Sequence, residues 1–120
     1  MKIRFNQAFY TEKTIPYILD AFQEKHVSGD GKYSKLCHSW LQKRFNCQKA
    51  LLTHSCTGAL EMSAILANIT QGDEVIMPSY TFVSTANAFV LRGAKPVFVD
   101  IRPDTLNIDE NLLEQAITNR

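Results

Sequence analysis

Hydrophobic residues recur at helical spacing in two segments near the start of the chain. Over 14–25, four apolar side chains share one face of a predicted helix: Ile15, Ile18, Leu19 and Phe22. A turn is predicted next, at 28–31, where two glycines bracket an aspartate. A second helix is predicted over 33–45, and its apolar face contains Leu36, Trp40, Leu41 and Phe45. We expect Trp40 to lie in the core.

From residue 49 onward, short apolar runs alternate with helical patterns. Strands are predicted at 49–53, 74–77 and 96–100. Helices are predicted at 59–68 and 82–91, and residues 107–109 open a final helix that runs to 117, with Asp109 as its N-cap. This alternation is typical of an α/β fold with mainly parallel strands. Because ligands bind beyond the carboxyl ends of such strands, the residues that directly follow each strand carry the most functional information.

Two of these strand ends carry candidate binding residues. After the first predicted strand, small residues at 54–58 open a helix, so backbone N–H groups and the hydroxyls of Ser55 and Thr57 favour an anion. The same residues are also typical of an ordinary N-cap, and they lack the spacing of a dinucleotide motif or a phosphate loop. After the second strand, Tyr80 and Phe82 either offer faces on which a flat ring stacks or pack into the core.

Composition argues against several classes of function. Thirteen basic and twelve acidic residues leave a formal charge of +1, so no electrostatic signature points to nucleic acid or an anionic membrane. The three cysteines form no CxxC pair, and the N-terminal residues do not resemble a signal peptide, so we expect free thiols in a reducing cytoplasm. The histidines and cysteines show no metal-ligand spacing, and no apolar run approaches the roughly 18 residues of a membrane span.

Three blocks of the sequence, at 51–62, 72–88 and 93–100, resemble the DegT-type sugar-nucleotide aminotransferases, which are fold-type I enzymes that use pyridoxal 5′-phosphate. The resemblance implies that residues 1–120 form a single partial domain of a fold-type I large domain. It would comprise an N-terminal helical segment, 1–47, and the start of the cofactor-binding α/β part, 48–120. In that fold, later strands separate the strand at 49–53 from the other two.

The resemblance also implies a role for individual residues. Thr57 and Gly58 would bind the cofactor phosphate, and the ring of Phe82 would stack on the pyridine, in agreement with the two strand ends described above. Three residues match N-terminal segments that lie near the substrate in the family: Asn6, Gly29 and Asp30.

For the complete protein, the resemblance implies a homodimer that aminates a dTDP-4-keto-6-deoxyhexose with glutamate as amino donor, in nucleotide-sugar and surface-polysaccharide biosynthesis such as that of enterobacterial common antigen. The lysine that binds the cofactor covalently, and the carboxylate that pairs with the pyridine nitrogen, lie beyond Arg120 in the family. No catalytic residue is therefore assigned, and the 120-residue chain alone is expected to be inactive and to expose apolar strand faces. Two alternatives remain: a non-catalytic α/β anion-binding module and a structural or partner-binding remnant.

Overall fold

The computed structural model describes residues 3–119 and divides the chain into two compact units, the first ending at Leu52 and the second beginning at Thr53. The first unit contains helices α1, Thr14–Gln23, and α2, Lys32–Phe45. Helix α1 ends two residues before its predicted limit, and Lys25 beyond it takes a left-handed φ of 53°. Helix α2 stops at Asn46, which also takes the left-handed conformation that asparagine tolerates at a helix C-terminus.

A polar cluster connects α1 to the start of α2. The carboxylate of Asp20 accepts hydrogen bonds from Lys32 Nζ and from the Tyr33 hydroxyl, both at 2.7 Å. The rings of Tyr17 and Tyr33 meet edge to face, with centroids 5.3 Å apart. The hydrogen bonds from Lys32 and Tyr33 hold the pKa of Asp20 below its usual value.

The prediction that Trp40 lies in the core is wrong, because its side chain is 61% exposed. Neither α1 nor α2 contains a buried residue. A unit of about 50 residues has too little interior to cover a large indole. The periodicity of α2 therefore identifies an apolar face, but the described residues of this unit do not bury that face.

The strand predicted at 49–53 does not form, so this prediction is also wrong. The segment has no regular secondary structure, and Leu51 and Leu52 are 64% and 49% exposed. The N–H of Leu52 donates to the His38 imidazole at 3.0 Å rather than to a neighbouring strand. A strand needs a ladder partner, and the described residues supply none for this segment.

The second unit contains helix α3, Cys56–Leu66, strand β1, Glu74–Pro78, helix α4, Val83–Val90, and strand β2, Lys95–Val99. Strands β1 and β2 pair in parallel, with Glu74 opposite Lys95 and Pro78 opposite Val99. This confirms the α/β pattern with parallel strands. Within residues 3–119, no helix is long and apolar enough to cross a membrane.

The core of the second unit lies where α4 packs against α3 and the two strands. Its buried apolar residues include no aromatic side chain: Ala64, Met77, Ala88, Ala94 and Val99. Gly93 closes the connection from α4 to β2 with a φ of 91°, and a Cβ there would lie 3.0 Å from the Cα of Gln71. Only glycine combines this backbone with this close approach.

The last predicted helix is divided in the structure. A 3₁₀ turn spans Glu110–Leu112, and helix α5 is limited to Leu113–Ala116. Asp109 is the N-cap, as predicted, and its carboxylate accepts the N–H of Asn111 at 3.0 Å. Ile117 is extended, so the helix ends one residue before its predicted limit.

Candidate functional site

Ser55 sets the start of α3. Its backbone is extended, and its Oγ accepts the N–H of Gly58 at 3.0 Å, while its carbonyl oxygen accepts the N–H of Ala59 at 3.1 Å. The helix therefore begins at Cys56, three residues before the predicted start at 59. Residues 56–58, which were predicted to lie ahead of the helix, form its first turn instead.

Two backbone donors remain at this helix N-terminus. Within the described part of the chain, the N–H groups of Cys56 and Thr57 have no protein acceptor, because α3 supplies none ahead of its first turn. The helix dipole places partial positive charge at the same point, and the first turn contains no acidic residue to neutralise it. Thr57 is exposed, so its hydroxyl is accessible to a ligand. This donor set suits a phosphate monoester.

Gly58 differs from its predicted role in one respect. Its N–H is already donated to Ser55 Oγ, so a phosphate oxygen would have to share that donor. Its missing side chain matters independently, because a Cβ at this position would lie 3.2 Å from Cε1 of His54. Gly58 thus allows the imidazole to lie beside the first turn of α3.

The second strand end presents the aromatic residues without burying them. Phe82 is the N-cap of α4, has an extended backbone, and is 75% exposed. Tyr80 is 67% exposed. Neither ring packs into the core, so of the two interpretations left open by the sequence, the one with accessible faces agrees with the structure.

Thr57 and Phe82 both lie at the starts of helices in the second unit, and these helices, α3 and α4, pack against each other. A phosphate donor set and an accessible aromatic ring therefore occur in one compact unit. Both elements suit pyridoxal 5′-phosphate, which combines a phosphate monoester with a flat heterocycle. These residue types are therefore compatible with the implied cofactor.

The predicted substrate residues all belong to the first unit. Asn6 lies in an exposed segment without regular secondary structure. Asp30 takes a left-handed φ of 60° and lines a cleft of about 570 Å³ formed by residues of α1, α2 and the loop between them. The carbonyl oxygen of Gly29 lies 3.3 Å from Nε2 of His26, another residue of this cleft. Neither Asn6 nor Gly29 is among the residues that line it, so the structure does not bring all three together in this cleft.

No group of three or more metal-ligating side chains converges anywhere in residues 3–119. Cys37, Cys47 and Cys56 are exposed and free of disulfide bonds. Cys56 is the first residue of α3, and no histidine or aspartate is hydrogen-bonded to its thiol in the described chain. These thiols add no second candidate centre to the site.

Comparison with known proteins identifies relatives that act on nucleotide sugars. Residues 10–120 match the DegT/DnrJ/EryC1/StrS aminotransferase family. The chain is 38% identical over 109 residues to a UDP-4-amino-4-deoxy-L-arabinose–oxoglutarate aminotransferase of Shewanella sediminis, covering 91% of this chain and 28% of that protein. It is 52% identical over 64 residues to a UDP-2-acetamido-2-deoxy-3-oxo-D-glucuronate aminotransferase of Pseudomonas aeruginosa, covering 53% of this chain and 18% of that protein.

Solved structures agree with the fold. The proposed sugar aminotransferase Spr1654 of Streptococcus pneumoniae, in its form with pyridoxal 5′-phosphate, superposes with a TM-score of 0.81 at 34% identity. The match covers 98% of this chain and 30% of that one. The chain thus corresponds to the N-terminal part of such structures and spans only 18% to 28% of the length of the curated relatives that it matches.

Proposed function

The chain belongs to the DegT/DnrJ/EryC1/StrS aminotransferase family, and on this basis we propose that it supplies the cofactor-phosphate edge of a sugar-nucleotide aminotransferase dependent on pyridoxal 5′-phosphate. One observation carries the proposal. The N-terminus of α3 offers the free N–H groups of Cys56 and Thr57, and the neighbouring α4 begins at the exposed ring of Phe82.

The mechanism assigns binding and orientation to this chain. When bound, pyridoxal 5′-phosphate supplies an electron-withdrawing ring that stabilises negative charge developing at the amino-group carbon. The backbone of Cys56 and Thr57, with the Thr57 hydroxyl, would bind the phosphate, and Phe82 would fix the plane of the ring. None of these groups transfers a proton, so we assign no catalytic residue to this chain.

For the complete protein, we propose a dTDP-4-keto-6-deoxyhexose substrate with glutamate as amino donor. The sequence resemblance supports the dTDP-4-keto-6-deoxyhexose. The names of two relatives also specify nucleotide-linked sugars, but in both names the nucleotide is UDP. Asn6, Gly29 and Asp30 are the proposed substrate residues. We further propose a homodimer in a reducing cytoplasm, in agreement with the three free cysteines.

Turnover by the protein as its gene encodes it tests this function. The protein is incubated with pyridoxal 5′-phosphate, glutamate and a 4-keto-6-deoxyhexose linked to dTDP, UDP or GDP, and 2-oxoglutarate is quantified. We expect formation of 2-oxoglutarate that requires all three components and is fastest with the dTDP-sugar. The 120-residue chain alone, assayed in parallel, should give none.

The outcomes of this assay separate the proposals. Faster turnover of a UDP- or GDP-sugar would retain the aminotransferase and reject the dTDP specificity. Absence of turnover, combined with binding of phosphate esters at α3, would favour the non-catalytic anion-binding module. Absence of turnover and of phosphate-ester binding would favour the structural or partner-binding remnant.

A further inference from the structure

The segment from Ser79 to Phe82 is held at both of its ends. At its start, the N–H of Ser79 donates to the carbonyl oxygen of Val99 at 2.8 Å, which extends the pairing of β1 and β2 by one bond. At its far end, the hydroxyls of Thr81 and Thr85 are 2.8 Å apart and connect the segment to the first turn of α4. Phe82 is the last residue of this segment and directly precedes α4.

Asp100 adds a side-chain contact to the first anchor. Its Oδ1 accepts the N–H of Ile101 at 2.8 Å, so the position of this acceptor is fixed by the backbone directly after β2. The same Oδ1 accepts the Ser79 hydroxyl at 3.4 Å, which is a long and therefore weak bond. The carbonyl oxygen of Asp100 accepts the N–H of Asp109 at 2.9 Å, which connects this residue to the final helical segment as well.

We propose that Asp100 is a positioning residue for Phe82. Through Ser79, it limits the motion of the 79–82 segment and so fixes the direction in which the aromatic ring projects from the start of α4. This inference rests on the proposed function insofar as the ring orients a cofactor, but the restraint on the segment is a property of the protein without ligand. The role requires an acceptor oxygen at position 100 and not its charge.

Hydrogen–deuterium exchange by mass spectrometry tests the restraint in the ligand-free protein as encoded. In Asp100→Ala, we expect roughly twofold to threefold faster exchange of the Ser79 amide, which is the N–H of the 79–82 segment that the described hydrogen bonds protect. This is the low end of the range for one net hydrogen bond, because the contact of Asp100 with the Ser79 hydroxyl is weak. Asp100→Asn retains an acceptor oxygen for both partners and should restore wild-type exchange. Ser79→Ala removes only the hydroxyl contact with Asp100 and should reproduce most of the increase in exchange. In the double variant, Asp100→Ala should add little to the exchange rate of Ser79→Ala.

Three results would overturn the inference: unchanged exchange in Asp100→Ala, failure of Asp100→Asn to restore it, or faster exchange spread evenly over the whole second unit. The last result would mean a general loss of folding. The cofactor role is measured separately, as the affinity for pyridoxine 5′-phosphate, which lacks the aldehyde that reacts with lysines. We expect Asp100→Ala to weaken this affinity about twofold to fivefold. If wild-type protein does not bind the probe, the proposed function fails, while the exchange data still decide the restraint.

Discussion

Thr57 combines a backbone N–H and a hydroxyl at the start of α3, and both point to one kind of ligand, an anion that accepts hydrogen bonds. Thr57→Val keeps the shape of the side chain and removes the hydroxyl. We expect roughly tenfold weaker binding of pyridoxine 5′-phosphate, because a hydrogen bond to a charged group is lost. Titration calorimetry checks this, with Thr11→Val as the matched control in the first unit. Equal affinities of wild type and Thr57→Val would remove the hydroxyl from the site.

Phe82 is exposed, so its substitution separates binding from folding. Phe82→Leu should lower the affinity for pyridoxine 5′-phosphate by about twofold to tenfold, which is the value of an aromatic stack. The free energy of unfolding should stay within about 0.5 kcal/mol, because the ring is outside the core. Phe45→Leu, at a phenylalanine of the first unit that is 67% exposed, is the control. A large loss of stability in Phe82→Leu would mean that the ring is structural.

At this scale, the sequence was sufficient to single out Thr57 and Phe82, but its pattern did not decide whether the Phe82 ring is accessible or packs into the core, and the strand predicted before Thr57 does not form. The sequence did not reveal that Ser55 takes the N–H of Gly58, because three consecutive small residues are all reasonable caps and only the backbone geometry selects one. The exposure of Trp40 was equally hidden, since periodicity identifies an apolar face but not whether another element covers it.

At the scale of elements, α3 depends on its N-cap. Ser55→Ala should lower the free energy of unfolding by about 1 kcal/mol, because the cap bond to Gly58 is lost. Ser63→Ala is the matched control in the same helix, since its hydroxyl only donates back to the carbonyl oxygen of Ala59. That control should be neutral or slightly stabilising. Urea denaturation followed by circular dichroism measures both, and equal effects would contradict the capping role.

The contact between α1 and α2 should weaken in acid. The pKa of Asp20 is lower in the folded unit than its ordinary value of 3.8, because Lys32 and Tyr33 donate to it. The contribution of the Asp20 carboxylate to the stability of the folded unit is therefore fully present above pH 3.8, and it is lost as the pH falls through the lowered pKa. The effect should be modest and should shrink in salt, because the pair is exposed.

Fluorescence of Trp40, the only tryptophan, reports urea unfolding of the first unit between pH 2 and pH 6, a range set by the ordinary carboxyl value. We expect the acid-dependent loss to be reduced in Asp20→Asn. Asp104→Asn is the control, because that carboxylate also has a lowered pKa but pairs with Arg102 in the second unit. An identical acid response in all three proteins would show that Asp20 does not contribute.

The elements with local signals were predicted to within one or two residues, as β1, β2, α2 and α4 illustrate. The segment at 49–53 was not, because a strand is defined by its partner and the described residues contain none for it. Helix α5 is shorter than its pattern indicates, since the Asp109 side chain bonds the N–H two residues later and favours a tight first turn.

At the scale of the whole molecule, large apolar side chains lie on the surface of both units. Leu66 and Leu91 are each 74% exposed, and Leu51 is 64% exposed. We therefore expect the 120-residue chain, studied by itself, to self-associate as its concentration rises. Sedimentation velocity over a hundredfold concentration range measures this. A 13.6 kDa monomer at all concentrations that also melts cooperatively would contradict the expectation.

The parallel pairing of β1 and β2 was predictable from the alternation of strands and helices. The exact boundary between the two compact units, after Leu52, was not, since the resemblance implied a boundary after residue 47 inside one partial domain. That division depends on how densely each half of the chain contacts itself, and local patterns carry no such information. The fold of this part of the molecule therefore follows from short-range signals, while the covering of its apolar faces does not.

A crystal structure of the protein as encoded, grown with pyridoxal 5′-phosphate, tests the central claim most directly. We expect phosphate oxygens about 2.7–3.2 Å from the backbone nitrogens of Cys56 and Thr57, with the pyridine ring facing the side chain of Phe82. A phosphate bound away from the start of α3, or a Phe82 ring turned away from the heterocycle, would contradict it.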